Sequence, residues 1–324
     1  MVRYRITPKN PRAHLFEVEL VVDKPDPQGQ RFSMPAWIPG SYLVREFARH
    51  VVQIEANVPL EKLDKHTWQA AATTGPLTVT STIYAWDMSV RAAHLDQTHA
   101  FFNGTSVFFS VAGHEDGPHD VVIEAPNDPL CKGWRVATTL PAVDVRPPGF
   151  GQYRASSYDE LIDHPVEMGT WESVEWTAGG VPHQMVVTGR VRFDRERLHK
   201  DLAAVCAEHI RMMGEAPMKR YVFLTTALGD GYGGLEHRDS SSLICKRDDL
   251  PKPAIKEPSD AYRGFLGLCS HEYFHLWNVK RIKPASFSPY ALASESYTRL
   301  MVRPMSSSQL STLMTPARTS ARSS

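Results

Sequence analysis

His271-Glu272-Tyr273-Phe274-His275 is an H-E-x-x-H run inside GFLGLCSHEYFHLWNVKRIKP (264–284). On a helix, residues four apart stand one turn above each other on the same face. His271 and His275 then close on one zinc ion, with Glu272 beside them to handle a proton. Zinc catalysis takes three protein ligands and leaves the fourth position to water, so the motif demands one more donor. The flanks favour this reading over a solvated surface helix with two histidines. Ser259 or Asp260 can cap the helix start, and Phe265, Leu268 and Cys269 supply an apolar docking face. Leu276-Trp277 after the second histidine suits a buried helix.

Upstream, Gly229-Asp230-Gly231-Tyr232-Gly233-Gly234 satisfies G-x-G-x-x-G after a strand-like run. A dinucleotide site also needs a helix opening at the last glycine, under the pyrophosphate. Leu235-Glu236-His237-Arg238-Asp239 and three serines follow, with no helical stripe, so that reading fails. Glycines also let a ligand backbone approach a strand edge, and Glu236 beside them can hold an ammonium group. From residue types alone, the stretch reads as a glycine-rich turn with a solvated Glu and His. Lys280, Arg281 and Lys283 read as cations favoured at a helix C-terminus. His94 and His99 read as members of a polar loop, without ligand spacing.

The elements that must position these residues divide in two. The first 150 residues alternate with period two, as in Phe16, Val18, Leu20 and Val22. Further strand-like runs are 77–86, 105–111, 119–125 and 133–140, punctuated by turn residues, which predicts an all-β domain, sandwich-like or saddle-like, over 1–165. After Pro165 the pattern becomes α+β. A strand at 184–193 leads into a helix whose stripe is Leu198, Leu202, Val205, Cys206, His209, Ile210 and Met213, stopped by Gly214. Strands at 219–228 and 240–246 precede a proline-rich loop and the metal helix. The serine-rich stretch from Ser306 to Ser324 has too little apolar content to offset its ordering entropy and is expected to be disordered.

The 36 basic residues balance 36 acidic ones, which removes the electrostatic reason to expect nucleic acid or an anionic membrane. With 42% hydrophobic and 22% charged residues, the chain belongs with soluble globular proteins. No stretch approaches a bilayer span, and the start reads as lacking a signal peptide. Cys131, Cys206, Cys245 and Cys269 are scattered, as reduced thiols of a cytoplasmic protein are.

SHEYFHLWNVKRIKP strongly resembles the metal helix of the bacterial glycyl aminopeptidase family, gluzincin zinc peptidases with a C-terminal PDZ domain. MPAWIPGSYLVREFARHV (34–51), FFNGTSVFF (101–109), YDELIDHPVEMG (158–169) and GGLEHRDSS (233–241) agree in the family's order, across residues 1 to 300. The resemblance implies a β domain followed by a thermolysin-like catalytic domain, here partial over 166–300. It implies zinc at His271 and His275, Glu272 as the base, and peptide substrates with a free N-terminus and a small first residue, Gly or Ala. Gly233-Gly234-Leu235-Glu236 is similar to the exopeptidase motif, whose glutamate holds the substrate amine.

The pattern then departs from the family. After Tyr297-Thr298-Arg299-Leu300 the family continues into W-x-x-E-G-[FI]-T, whose glutamate is the third zinc ligand, whereas this chain has Met305 there. Residues 301–324 do not resemble the family and look like the end of a truncated or frame-shifted product. Glu295 is a substitute ligand candidate, against a reading as a solvated carboxylate. Loss of the cleft's far wall is expected to leave Phe265, Leu268, Leu276 and Trp277 partly uncovered. Two readings follow. One is a zinc aminopeptidase, impaired at its third ligand. The other is a non-catalytic remnant that at most binds peptides on its β domain.

Overall fold

A computed structural model describes residues 1–282 except Tyr42, Pro147, Pro148 and Lys256, together with Tyr290 and Leu292. Glu295, Met305 and the expected tail at 301–324 lie outside the described residues.

The first half is β, as the alternation predicts. A seven-stranded sheet runs in the order Ala142–Arg146, Phe150–Ala155, His119–Ile123, Val2–Asn10, Leu15–Val22, Leu77–Tyr84 and Val51–Ala56. All neighbours are antiparallel except Val2–Asn10 with His119–Ile123. Leu15–Val22 shows why: every second residue is buried, from Phe16 to Val22, so one face packs inward while Glu17 and Glu19 look outward. Two four-stranded sheets accompany it. One contains Arg31–Ser33 and Thr67–Ala70; the other runs Arg135–Ala137, Val166–Gly169, His99–Phe102 and Ala93–Leu95.

Two sequence expectations fail here. The run 105–111 is not a strand: Gly104–Ser106 is a 3-10 turn, and only Ser110–Val111 pairs. Its residues Val107, Phe108 and Phe109 are buried core, and a continuous apolar run does not distinguish a strand from another buried segment. His94 and His99 are not in a polar loop either. They lie on paired strands, 2% and 4% exposed.

The second half is a five-stranded sheet ordered Glu172–Ala178, Val181–Thr188, Tyr221–Leu228, Ser240–Lys246 and Gly233–Glu236. Gly179 and Gly180 take positive φ in the first hairpin, as a tight primed turn requires. A crossover helix, Arg195–Met213, carries Val181–Thr188 to its parallel neighbour Tyr221–Leu228. Asp194 caps its start, and Gly214 ends it in the left-handed region. The metal helix, Asp260–Phe274, packs against this helix and the sheet, with Ser259 Oγ accepting from Tyr262 N at 3.1 Å.

The expectation of an uncovered metal helix is corrected. Phe265, Leu268, Leu276 and Trp277 are each 5% exposed or less, packed with Cys206, Tyr221 and Phe223. The crossover helix and sheet cover that face, so the wall expected to be missing does not bear on it. The halves also share core. Leu235 and Ile244 of the second half belong to the first half's cluster, and Phe101 and Ala137 pack with Val186, Val222 and Leu224. No helix among the described residues is long and apolar enough to cross a membrane.

Candidate active site

The metal helix ends at the motif. Its buried face carries Cys269, Glu272 and Tyr273. Tyr273 Oη lies 2.8 Å from His183 Nε2, and Ser270 Oγ 2.8 Å from His209 Nε2. These bonds fix the helix's rotation about its axis. Burial lowers the pKa of both His183 and His209, which keeps their rings neutral inside the packing. The helix then presents His271 exposed, His275 half-buried and Glu272 buried.

His271 Nε2 and His275 Nε2 stand 3.2 Å apart. Two nitrogens each 2.0–2.1 Å from a tetrahedral zinc are separated by about 3.3 Å, so the pair already has ligand spacing. His275 Nδ1 lies 3.2 Å from the Asn278 carbonyl. A proton held there by the carbonyl leaves the Nε2 lone pair free, the orientation a metal-binding imidazole needs. Glu236, Glu272 and His275 offer ligand atoms all within 4.8 Å of one another, and His271 joins that group through His275. Two imidazole nitrogens at this spacing supply two of the three protein donors that a catalytic zinc takes, and to that extent the residues fit the ion.

Glu236 and His237 are 7% and 1% exposed, so the solvated-turn reading of this stretch does not hold. The glycines open into an edge strand, Gly233–Glu236, paired antiparallel with Ser240–Lys246, and no helix follows them. Strand alternation sends Leu235 into the first half's core and turns Glu236 toward Glu272. Gly234 is required where it stands. A Cβ there would lie 2.0 Å from Glu272 Oε1, so only the bare backbone admits the Glu272 carboxylate. Gly40 does the same for Glu236. It has φ 90, and its Cβ would fall 2.8 Å from both carboxylate oxygens. Burial, and then the neighbouring Glu236 carboxylate, raise the Glu272 carboxyl to about 7, while Arg91 and Lys280 pull the other way.

The basic run after the helix also differs from its sequence reading. Arg281 does cap: Nη1 donates to the Leu276 carbonyl at 2.9 Å. Lys280 is buried and donates to Asp163 Oδ1 at 2.9 Å. Val279 holds φ 86 to turn the chain there, a conformation that β-branched residues rarely adopt. Sequence reading gave no role to Arg91, or to Asp163 within the YDELIDHPVEMG block. Each touches the site from the first half, with no local spacing to announce it.

Residues 3–170 match the peptidase M61 N-terminal domain, and residues 264–303 match the M61 glycyl aminopeptidase family. The fold is similar to an aminopeptidase N family protein from Idiomarina loihiensis, at TM-score 0.89 and 42% identity over 91% of this chain and 51% of that one. The chain thus spans about half the length of that relative. Aminopeptidase A of Legionella pneumophila, solved in complex with aspartic acid, is similar in fold at TM-score 0.53 and 14% identity, over 85% of this chain and 34% of that one. No curated protein matches the sequence. An H-E-x-x-H helix faced by a Gly-Gly-Leu-Glu edge strand, on a β domain that matches over half the chain, leads to one conclusion: the chain belongs to the M61 glycyl aminopeptidase family.

Proposed function

We propose that the protein is a zinc aminopeptidase that removes small N-terminal residues, Gly or Ala, from peptides. The observation carrying this reading is the placement of the Glu236 carboxylate within 4.8 Å of the donors of Glu272 and His275. That gap suits a substrate whose charged amine lies one residue from the bond to be cut. His271 and His275 hold the zinc, which supplies Lewis-acid polarisation and lowers the pKa of a water toward neutrality.

Glu236 receives the ammonium by a charge-assisted hydrogen bond, which makes the enzyme an exopeptidase. The edge strand lets the substrate backbone lie beside it, because Gly233 and Gly234 have no side chains to stand in the way. Glu272, buried beside the two histidines, takes a proton from the attacking water and returns it to the leaving amine. Small first residues fit because Gly40 closes on the Glu236 carboxylate, where even a Cβ would fall 2.8 Å from both oxygens.

Met305 stands where the resemblance places the third ligand, and a thioether is a poor partner for zinc. Zinc binding by this chain is therefore weak. The test measures zinc content after dialysis, and Gly-p-nitroanilide hydrolysis with and without added zinc and chelator. Zinc-dependent, chelator-sensitive release of p-nitroaniline is expected, at a rate limited by metal occupancy. No hydrolysis at saturating zinc would overturn the enzymatic reading. Tight stoichiometric zinc would overturn the impairment and point to Glu295.

A further inference from the structure

Arg91 belongs to the first half of the chain, yet its Nη2 donates to the Gly234 carbonyl at 3.3 Å. Strand alternation identifies the edge it occupies. His237 N donates to Ser240 O at 2.9 Å. The backbone groups of His237 and Leu235 therefore face the neighbouring strand, and those of Glu236 and Gly234 face outward. Arg91 sits on that open edge, two residues before Glu236. A Cβ on Gly233 would stand 4.0 Å from Arg91 Nη1, ordinary contact distance, so the guanidinium lies against the strand.

The surroundings are cationic. Burial and then the Arg91 charge push the Arg45 pKa down; Arg49 adds to this and Asp87 opposes it. Arg45 Nε donates to Ser41 Oγ at 3.0 Å. Among the described residues, neither Arg45 nor Arg91 has a carboxylate within ion-pair distance. Arg91 does act on Glu272 through space, holding its carboxyl down against burial. A half-buried guanidinium without an ion-pair partner, beside the strand a peptide would follow, is an anion receptor in waiting.

The spacing says which anion. An extended chain covers about 3.3–3.6 Å per residue, so a point two residues along from Glu236 is about 7 Å away. A dipeptide's amine and carboxylate are about that far apart, and a third residue adds one more step. We propose that Arg91, with Arg45 adding positive charge, receives a carboxylate of the bound peptide one or two residues beyond the amine held at Glu236. This rests on the reading of Glu236 as the amine anchor. The carboxylate can be the chain terminus or an acidic side chain at the second position; the chemistry is the same.

Calorimetric titration of the purified chain with EDTA present, near neutral pH, tests this without turnover. The probes are glycyl-glycine, glycyl-glycinamide, glycyl-aspartic acid α-amide, whose only carboxylate is on its side chain, and N-acetyl-glycyl-glycine. Amidation is expected to weaken binding roughly tenfold or more, as loss of a charge-assisted contact does. Arg91→Ala should remove the difference between acid and amide, and Arg91→Lys should keep part of it. Affinity regained by the aspartic α-amide supports the inference with a side-chain source; no regain supports it with the terminal carboxylate. Equal binding of acid and amide by the unaltered chain, or no binding of either, overturns it. Equal binding of glycyl-glycine and its N-acetyl form instead overturns the Glu236 reading. Hydrolysis of Gly-p-nitroanilide by the unaltered chain, a substrate with no carboxylate, reports on the catalytic reading separately from these titrations.

Discussion

Asp163 and Lys280, 117 positions apart, meet in a buried ion pair, with Lys280 Nζ donating to Asp163 Oδ1 at 2.9 Å. The same Asp163 oxygen lies 3.2 Å from His237 Nδ1, and Oδ2 accepts from Arg238 N at 3.2 Å. One carboxylate of the first half therefore holds the residues just after Glu236 and the segment just after His275. These partners keep the Asp163 carboxyl well below the usual range although burial alone would raise it.

Breaking that pair should be costly. Removing one partner of a buried ion pair leaves an uncompensated charge and costs about 3–5 kcal/mol. Against a total stability of about 5–15 kcal/mol, Asp163→Ala or Lys280→Met should lower the urea midpoint sharply. The double variant should recover part of the loss, since no lone charge remains. A midpoint unchanged in both single variants shows that water reaches the pair.

Glu272→Gln should abolish turnover while leaving zinc binding at His271 and His275 in place, because only the proton carrier is lost. Hydrolysis of Gly-p-nitroanilide and metal titration measure the two effects separately. A near-normal rate removes Glu272 from the role of base.

Gly234→Ala makes a sharper geometric test. Its Cβ would lie 2.0 Å from Glu272 Oε1 and 2.4 Å from Cδ, so the carboxylate has to move. Displacements near 1 Å at a reacting group cost about 100-fold in rate, and a loss of that order in kcat is expected. Unchanged kcat means Glu272 works from another rotamer.

Glu236→Ala should harm free-amine substrates far more than N-acetylated ones. The lost charge-assisted contact is worth roughly 1.5–3 kcal/mol, so a drop of one to two orders of magnitude in kcat/KM is expected. Equal losses on both substrate types place Glu236 outside amine recognition.

His99 provides a pH test away from the site. Burial pulls its pKa down, but the Glu167 carboxylate 3.0 Å away, helped by Asp96, more than reverses this, and the net direction is up. His94 stacks on its ring at 4.9 Å, and Thr188 Oγ1 donates to Glu167 Oε1. A histidine whose folded pKa is raised contributes stability that is full below its unfolded value, about 6.5, and is lost as pH rises through the folded value. The gap in urea midpoint between the natural protein and His99→Asn should be widest near pH 5.5 and close toward pH 9. A gap that widens with pH shows that the ring stays neutral.

The metal helix was legible because its information is local. Ser259, the stripe through Phe265 and Cys269, and the H-E-x-x-H spacing all lie within one helix. The crossover helix was readable for the same reason, since Leu198, Leu202 and Cys206 face one way and Gly214 stops the turn. What escaped was pairing across long stretches of chain. Lys280 reads as a helix-end cation until Asp163 is brought to it, and His99 reads as a loop residue until Glu167, 68 positions later, lies opposite. Gly233-Gly234-Leu235-Glu236 looks like a turn because its strand is defined by Ser240–Lys246 and by the first half's core, neither visible in four residues.

Leu235 and Glu236 are neighbours whose side chains serve different owners: one is embedded in the first half's core, the other stands at the chemistry. The edge strand therefore ties the two halves together through one peptide bond: a packing change in the first half's core that shifts Leu235 shifts the Glu236 carboxylate with it.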